Sequence, residues 1–208
     1  MYQPSKLYLA LLIVLAAIGG SGTLFASAPM KKADFHDAMR KLWDDHITWT
    51  RLFIVSAVAD LPDTGATRVR LLKNQSDIGN AVKPFYGDST GEKLTSLLKE
   101  HITTVAEIVS AAKMKENAKQ KDATFRLYAN ADEIAAFLSG ANPRNWHSAD
   151  IKATMYEHLD LTIAEAVPRL KADWAADIAA YEKVHEQILK MADMLSDGII
   201  RQFPKNFR

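Results

Sequence analysis

Three short stretches carry the residue types that do chemistry: Asp45-His46-Ile47, Glu100-His101-Ile102 and Glu157-His158-Leu159. Each is an acid, a histidine and a branched aliphatic, and the copies recur at nearly equal intervals. Imidazole is a common ligand for transition metals, and carboxylates complete such sites. A fourth histidine closes Glu182-Lys183-Val184-His185, the Glu-x-x-His spacing of ferritin-like di-metal bundles. Glu165 lies two helical turns after His158, which keeps it on the same helix face. The candidate metal-ligand set is therefore His46, His101, His158, His185, Glu165 and Glu182. It is incomplete for a ferritin-like centre. Such a centre needs two Glu-x-x-His motifs and two further glutamates, and the chain has one such motif.

The competing reading needs no metal. A buried imidazole without a partner costs on the order of 1–3 kcal/mol. Asn74 and Asn130, which follow His46 and His101 at almost the same interval, are candidate partners. Asp45, Glu100 and Glu157 sit ~100° from the histidine stripe and read as solvated flanks. His36 and His147 have no apolar setting and read as exposed.

The histidines need helices to aim them. Leu42, Trp43, His46, Trp49, Phe53 and Ile54 recur at three- and four-residue steps, as do Leu94, Leu97, Leu98, His101, Val105 and Ile108. This spacing predicts helices over about 34–59 and from 89 to near 113. Further helices are expected over 66–82, 123–138, from 145 or 148 to Pro168, and over 172–203. Ser89-Thr90-Gly91-Glu92 reads as a capping box, Lys83 to Asp88 as a turn, and Lys115 to Asp122 as a loop or an exposed helical turn. The sixth helix is expected to bury Ile178, Tyr181, His185, Ile188, Leu189 and Ala192. No stretch alternates with period two. The fold class is all-α: an antiparallel bundle of about six helices with an internal hairpin duplication. After His158 the repeat degrades, so two hairpins are related and a third has diverged.

Residues 1–30 carry one charge, Lys6, followed by the apolar run Leu7 to Ile18 and by Ala26-Ser27-Ala28. This is the pattern of a signal peptide. The same uncharged run, 7–28, is long enough to span a bilayer as an N-terminal anchor. Both outcomes place residues 31–208, the bundle domain, outside the cytoplasm. Setting Lys6 aside from the 26 basic side chains leaves that domain 25 basic against 25 acidic. So balanced a surface argues against nucleic acid as a partner. With no cysteine, the chain has no disulfide, thiolate ligand or nucleophilic thiol. It also lacks a phosphate-binding glycine loop and a His-Glu-x-x-His motif.

The stretches Leu42 to Arg51, Lys83-Pro84-Phe85-Tyr86-Gly87 and Lys190 to Phe203 resemble a family of small exported helical proteins of spore-forming Gram-positive bacteria. The resemblance implies an all-α fold and export, and it transfers no catalytic residue. These readings together lead to the expectation of an exported or envelope-anchored binding or structural module with an inward-facing histidine cluster. That cluster would take a transition-metal ion or a small-molecule ligand. The alternative is a metal-dependent oxidoreductase or hydrolase of ferritin-like type.

Overall fold

Each apolar stripe needs a partner stripe, and the computed structural model, which describes residues 29–208, satisfies all of them in a closed ring of helices. The order is α1 (Lys32–Val58), α2 (Thr64–Tyr86), α3 (Asp88–Lys113), α4 (Asn117–Ala141), α5 (Ser148–Leu170) and α6 (Trp174–Gln202). A short 3-10 turn, Pro204–Asn206, follows. Each helix packs on its neighbours in sequence, and α6 closes on α1. α1 also touches α3 and α5, so the odd-numbered helices face the interior. The segment expected to be a signal or anchor lies outside the described residues. Among those residues, no helix is long and apolar enough to cross a membrane.

Several boundaries differ from the sequence reading. α2 runs through Pro84 to Tyr86. The carbonyl that loses its donor there belongs to the exposed Asn80 rather than to a core residue. Phe85 is drawn onward by its contacts with Phe35 and Phe207, at 5.2 and 5.6 Å between ring centroids. Gly87, at φ 84°, is the stop. α3 then starts at once at Asp88, which puts Ser89 inside the helix rather than at its cap, and Glu92 reaches Lys83. α4 absorbs the polar stretch from Asn117 onward. α5 passes Pro168 for the same reason that α2 passes Pro84, since the orphaned carbonyl is that of the exposed Ala164.

The three hairpins α1–α2, α3–α4 and α5–α6 turn in the same way. Asp60, Lys115 and Ala172 all adopt positive φ, at 53°, 59° and 59°. Each follows the histidine of its own hairpin at an identical interval. At each tip the next amide reaches back five residues: Leu61 to Ser56 at 2.9 Å, Glu116 to Ala111 at 2.9 Å, Asp173 to Pro168 at 3.0 Å. This is the Schellman closure of a helix C-terminus. The third hairpin, diverged in sequence, repeats the tip of the other two.

The opposite pole holds both ends of the described chain. Met30 and Phe207 form a parallel bridge, with Met30 N donating to Asn206 O at 2.9 Å and Arg208 N to Met30 O at 3.0 Å. Phe35, Phe85, Phe203 and Phe207 close this pole as an aromatic cluster. α2 and α3 cross tightly nearby. A Cβ built on Gly79 would lie 2.5 Å from Gly91 O, and one on Gly91 would lie 2.5 Å from Gly79 O. This crossing accounts for two glycines inside helices, where each would otherwise cost roughly 1 kcal/mol.

Candidate functional site: a chamber of three histidines

His46, His101 and His158 enter the interior from α1, α3 and α5, each with 4% or less of its surface exposed. The ring centroids of His46 and His158 are 5.6 Å apart, and those of His101 and His158 are 6.4 Å apart. Thr50 and Thr162 sit one turn further on and bond the carbonyls of His46 and His158, at 2.7 and 2.8 Å. The three histidines line a cavity of about 30 Å³ together with Ile54, Val105, Leu127, Thr162 and their neighbours. It has room for about one water molecule.

The second helix of every hairpin brings an amide side chain towards its histidine, and in the second hairpin the amide bonds the ring. Asn130 donates to Leu97 O at 3.2 Å, and its Oδ1 lies 3.1 Å from His101 Nδ1. With the amide nitrogen committed to a carbonyl, Oδ1 accepts and His101 Nδ1–H donates. Gln187 repeats this on α6, donating to Thr154 O at 3.0 Å with its oxygen towards His158. In the first hairpin two residues share the task. Asn74 donates to Leu42 O at 3.0 Å, and Gln75 donates to Asn74 Oδ1 at 3.1 Å and faces His46. Leu42, Leu97 and Thr154 each lie one turn before their histidine. In the first and third hairpins the last contact is open: His46 Nδ1, His158 Nδ1, Gln75 Oε1 and Gln187 Oε1 have no partner within hydrogen-bonding distance.

Burial keeps all three imidazoles neutral. It holds His46 well below the usual histidine range, with the His158 and His101 rings adding to the effect. Burial lowers His101 to about 4 against the opposing bond from Asn130. His158 falls to about 3, from burial first and the neighbouring His101 second. A neutral imidazole whose Nδ1 carries the proton keeps the Nε2 lone pair free.

The other residues of the expected ligand set go elsewhere. His185 is half-exposed, its Nε2 3.0 Å from Asp44 Oδ1. Glu182 is exposed. The buried stripe of α6 runs through Val184, Gln187, Ile188, Met191, Leu195 and Ile199, which turns His185 and Glu182 to its flanks and leaves Ile178 54% exposed. Glu165 is buried but two turns beyond His158, where it accepts from Arg51 at 2.7 Å. Arg51 also bonds Asp177 at 2.9 and 3.2 Å, and Arg169 reaches Asp177 at 3.3 Å. Burial pushes the Glu165 carboxyl up to about 7, although Arg51 opposes the shift. As the rings stand, no group of three histidine or acidic side chains among the described residues is arranged to hold a metal ion.

His185 belongs instead to a polar ladder along the α1–α6 seam. Its rungs are His36 with Ser196 and Asp197 (2.7 and 3.2 Å), Arg40 with Asp193 (2.6 Å), Asp44 with His185, Thr48 with Tyr181 (3.4 Å) and Arg51 with Asp177. His36 is thus half-buried rather than exposed. The amides Gln75 and Gln187 are not picked out by the sequence reading. A signal for them exists, since each follows its histidine at the same interval as Asn130 follows His101.

No protein-family model, curated protein or solved structure matches this chain.

Proposed function

We propose that this protein is an exported or membrane-anchored binding module whose guest site is the chamber of His46, His101 and His158. The observation that carries the reading is the pair of buried, unpartnered Nδ1 atoms on His46 and His158. Such atoms cost on the order of 1–3 kcal/mol each, and folds retain that cost chiefly where a site needs it. A purely structural role calls for apolar residues here, which would fill the same space at a gain. The chamber suits a guest of one ion or one water. Pockets for organic substrates are roughly 300–1,000 Å³, so an enzymatic reading at this site would require the bundle to open. The uncharged run at residues 7–28 supports export or anchoring.

Substituting His158→Leu separates binding from packing. A binding site held at the expense of stability predicts a variant more stable than wild type by ~1 kcal/mol in urea unfolding, because an unpartnered polar ring leaves the core. If the ring serves packing, the variant loses ~1–3 kcal/mol.

A further inference from the structure

We propose that the pocket between the α4–α5 connection and the end of α6 binds a phosphate monoester, held by Arg144 and Arg201. The site is separate from the chamber, and its test stands or falls without the chamber.

Charge is the first argument. Asn142, Pro143, Arg144 and Asn145 of the connection and Arg201 and Gln202 of α6 line a pocket of about 340 Å³. Two of these residues are cationic and none is acidic. The bundle domain as a whole is balanced in charge, so the pocket is a local excess of positive charge. Among the described residues, Arg144 meets no carboxylate at ion-pairing distance. Arg201 meets Asp197 at 3.5 Å, but Asp197 is shared with His36 Nε2, which is nearer at 3.2 Å. A concave site lined by one sign of charge focuses its field on a counter-ion.

The second argument is how the pocket is held. Its two walls come from elements that are bonded to each other at several points. Asn142, buried, donates Nδ2 to Gly198 O at 2.9 Å and accepts from Asn145 Nδ2 at 2.8 Å. Trp146, also buried, packs its indole so tightly on Gly198 that a Cβ there has no room. Gln202 donates back to Ala141 O at 3.1 Å and accepts from Tyr86 at 2.6 Å. These bonds occupy the amides and fix the walls, which leaves the guanidinium groups for a guest. An anion that arrives there need not order the connection first, so binding escapes that entropy cost.

Charge and size choose the guest. A guanidinium offers a planar fork of donors that matches carboxylate and phosphate alike. A carboxylate would neutralise one of the two arginines. A phosphate monoester carries about −1.5 to −2 charges at pH 7 and so matches both. The volume falls at the lower end of the roughly 300–1,000 Å³ typical of small-molecule pockets, which leaves space for the group that the phosphate esterifies. The pocket lies at the pole where Phe207 bridges Met30. A phospholipid headgroup and a soluble phosphate ester share this chemistry.

Isothermal titration of the purified chain with glycerol 3-phosphate and with short-chain phosphatidic acid tests the proposal. The expected result is saturable binding of one ligand per chain. Arg144→Gln and Arg201→Gln should each weaken it ~10-fold or more, with the helical circular dichroism unchanged. Lys205→Gln, which removes an exposed cation of the same pole outside the pocket, should leave the affinity as it is. Tighter binding of phosphatidic acid assigns the guest to lipid, and binding that is no tighter assigns it to a soluble ester. Folded wild type that binds neither ligand overturns the proposal. So does a loss for Lys205→Gln as large as for the arginine variants, which would mean diffuse surface charge. Equal binding of short-chain phosphatidylglycerol, a diester, overturns the choice of a monoester.

Discussion

A histidine in an unfolded chain takes up a proton near pH 6.5. In the bundle, burial delays this to about 4 for His101 and about 3 for His158, and holds His46 below its usual range as well. Below pH 6.5 the unfolded state therefore binds more protons than the folded state, and stability falls as pH falls. Each such histidine contributes on the order of 1 kcal/mol per pH unit until its folded pKa is reached. Glu165 works the other way. Its carboxyl is raised to about 7, so between the ordinary carboxylate range and pH 7 it destabilises the fold as pH rises. Three groups outweigh one. In chelator-treated protein, the urea midpoint should drop between pH 6.5 and 4.5. A variant with all three histidines replaced by leucine should show the reverse slope, left by Glu165 alone. A flat profile in wild type would contradict the buried neutral state. The inward aim of these three histidines was legible in the sequence, because large apolar residues share their helix faces. The placing of His185 was not. Tyr181, His185 and Ile188 make as good a stripe as Val184, Gln187, Ile188 and Met191, and the continuation of the second stripe through Leu195 and Ile199 decides between them. Gln75 and Gln187 were hidden by chemistry: they stand at the interval of Asn130 from His101, with a side chain of different length.

At the scale of elements, the hairpin is the repeating unit, and its tips hold strain. Lys115 and Ala172 occupy a backbone region that costs a residue with a Cβ roughly 1–2 kcal/mol. Glycine removes that cost but adds entropy to the unfolded chain, returning about 0.4–1 kcal/mol. Ala172→Gly should therefore stabilise the protein by ~0.5–1 kcal/mol. In a domain of this size that is a rise of roughly 1–4 °C in melting temperature, readable by calorimetry. No gain at all would mean that the tip is not held left-handed. Periodicity gave away the six helices, since their stripes are long. It misjudged their ends, because Pro84 and Pro168 fall where the freed carbonyl belongs to an exposed residue. The third hairpin reads as diverged, since its Glu157-His158-Leu159 repeats but the residues after it do not. The shared backbone tip tolerates Asp60, Lys115 and Ala172 alike, so the repeat leaves no common residue type there.

For the whole molecule, the seams are unequal. Helices consecutive in sequence meet through short connections, whereas α1 and α6 are brought together from opposite ends of the bundle domain and joined by the polar ladder. The rung between Arg40 and Asp193 is surface-exposed, so salt should loosen it more than the interior. The pairing of Met30 with Phe207 leaves the two ends of the bundle domain a single bridge apart. A chain restricted to the bundle, with its ends joined by a short flexible linker and reopened in the exposed connection at Pro143–Arg144, should fold with the same helical circular dichroism and the same buried histidines. An unfolded or aggregated product would show that the original order of synthesis matters. Success would make the three hairpins interchangeable in rank: the gene must begin somewhere, but the object it encodes is cyclic, with no hairpin first and none last.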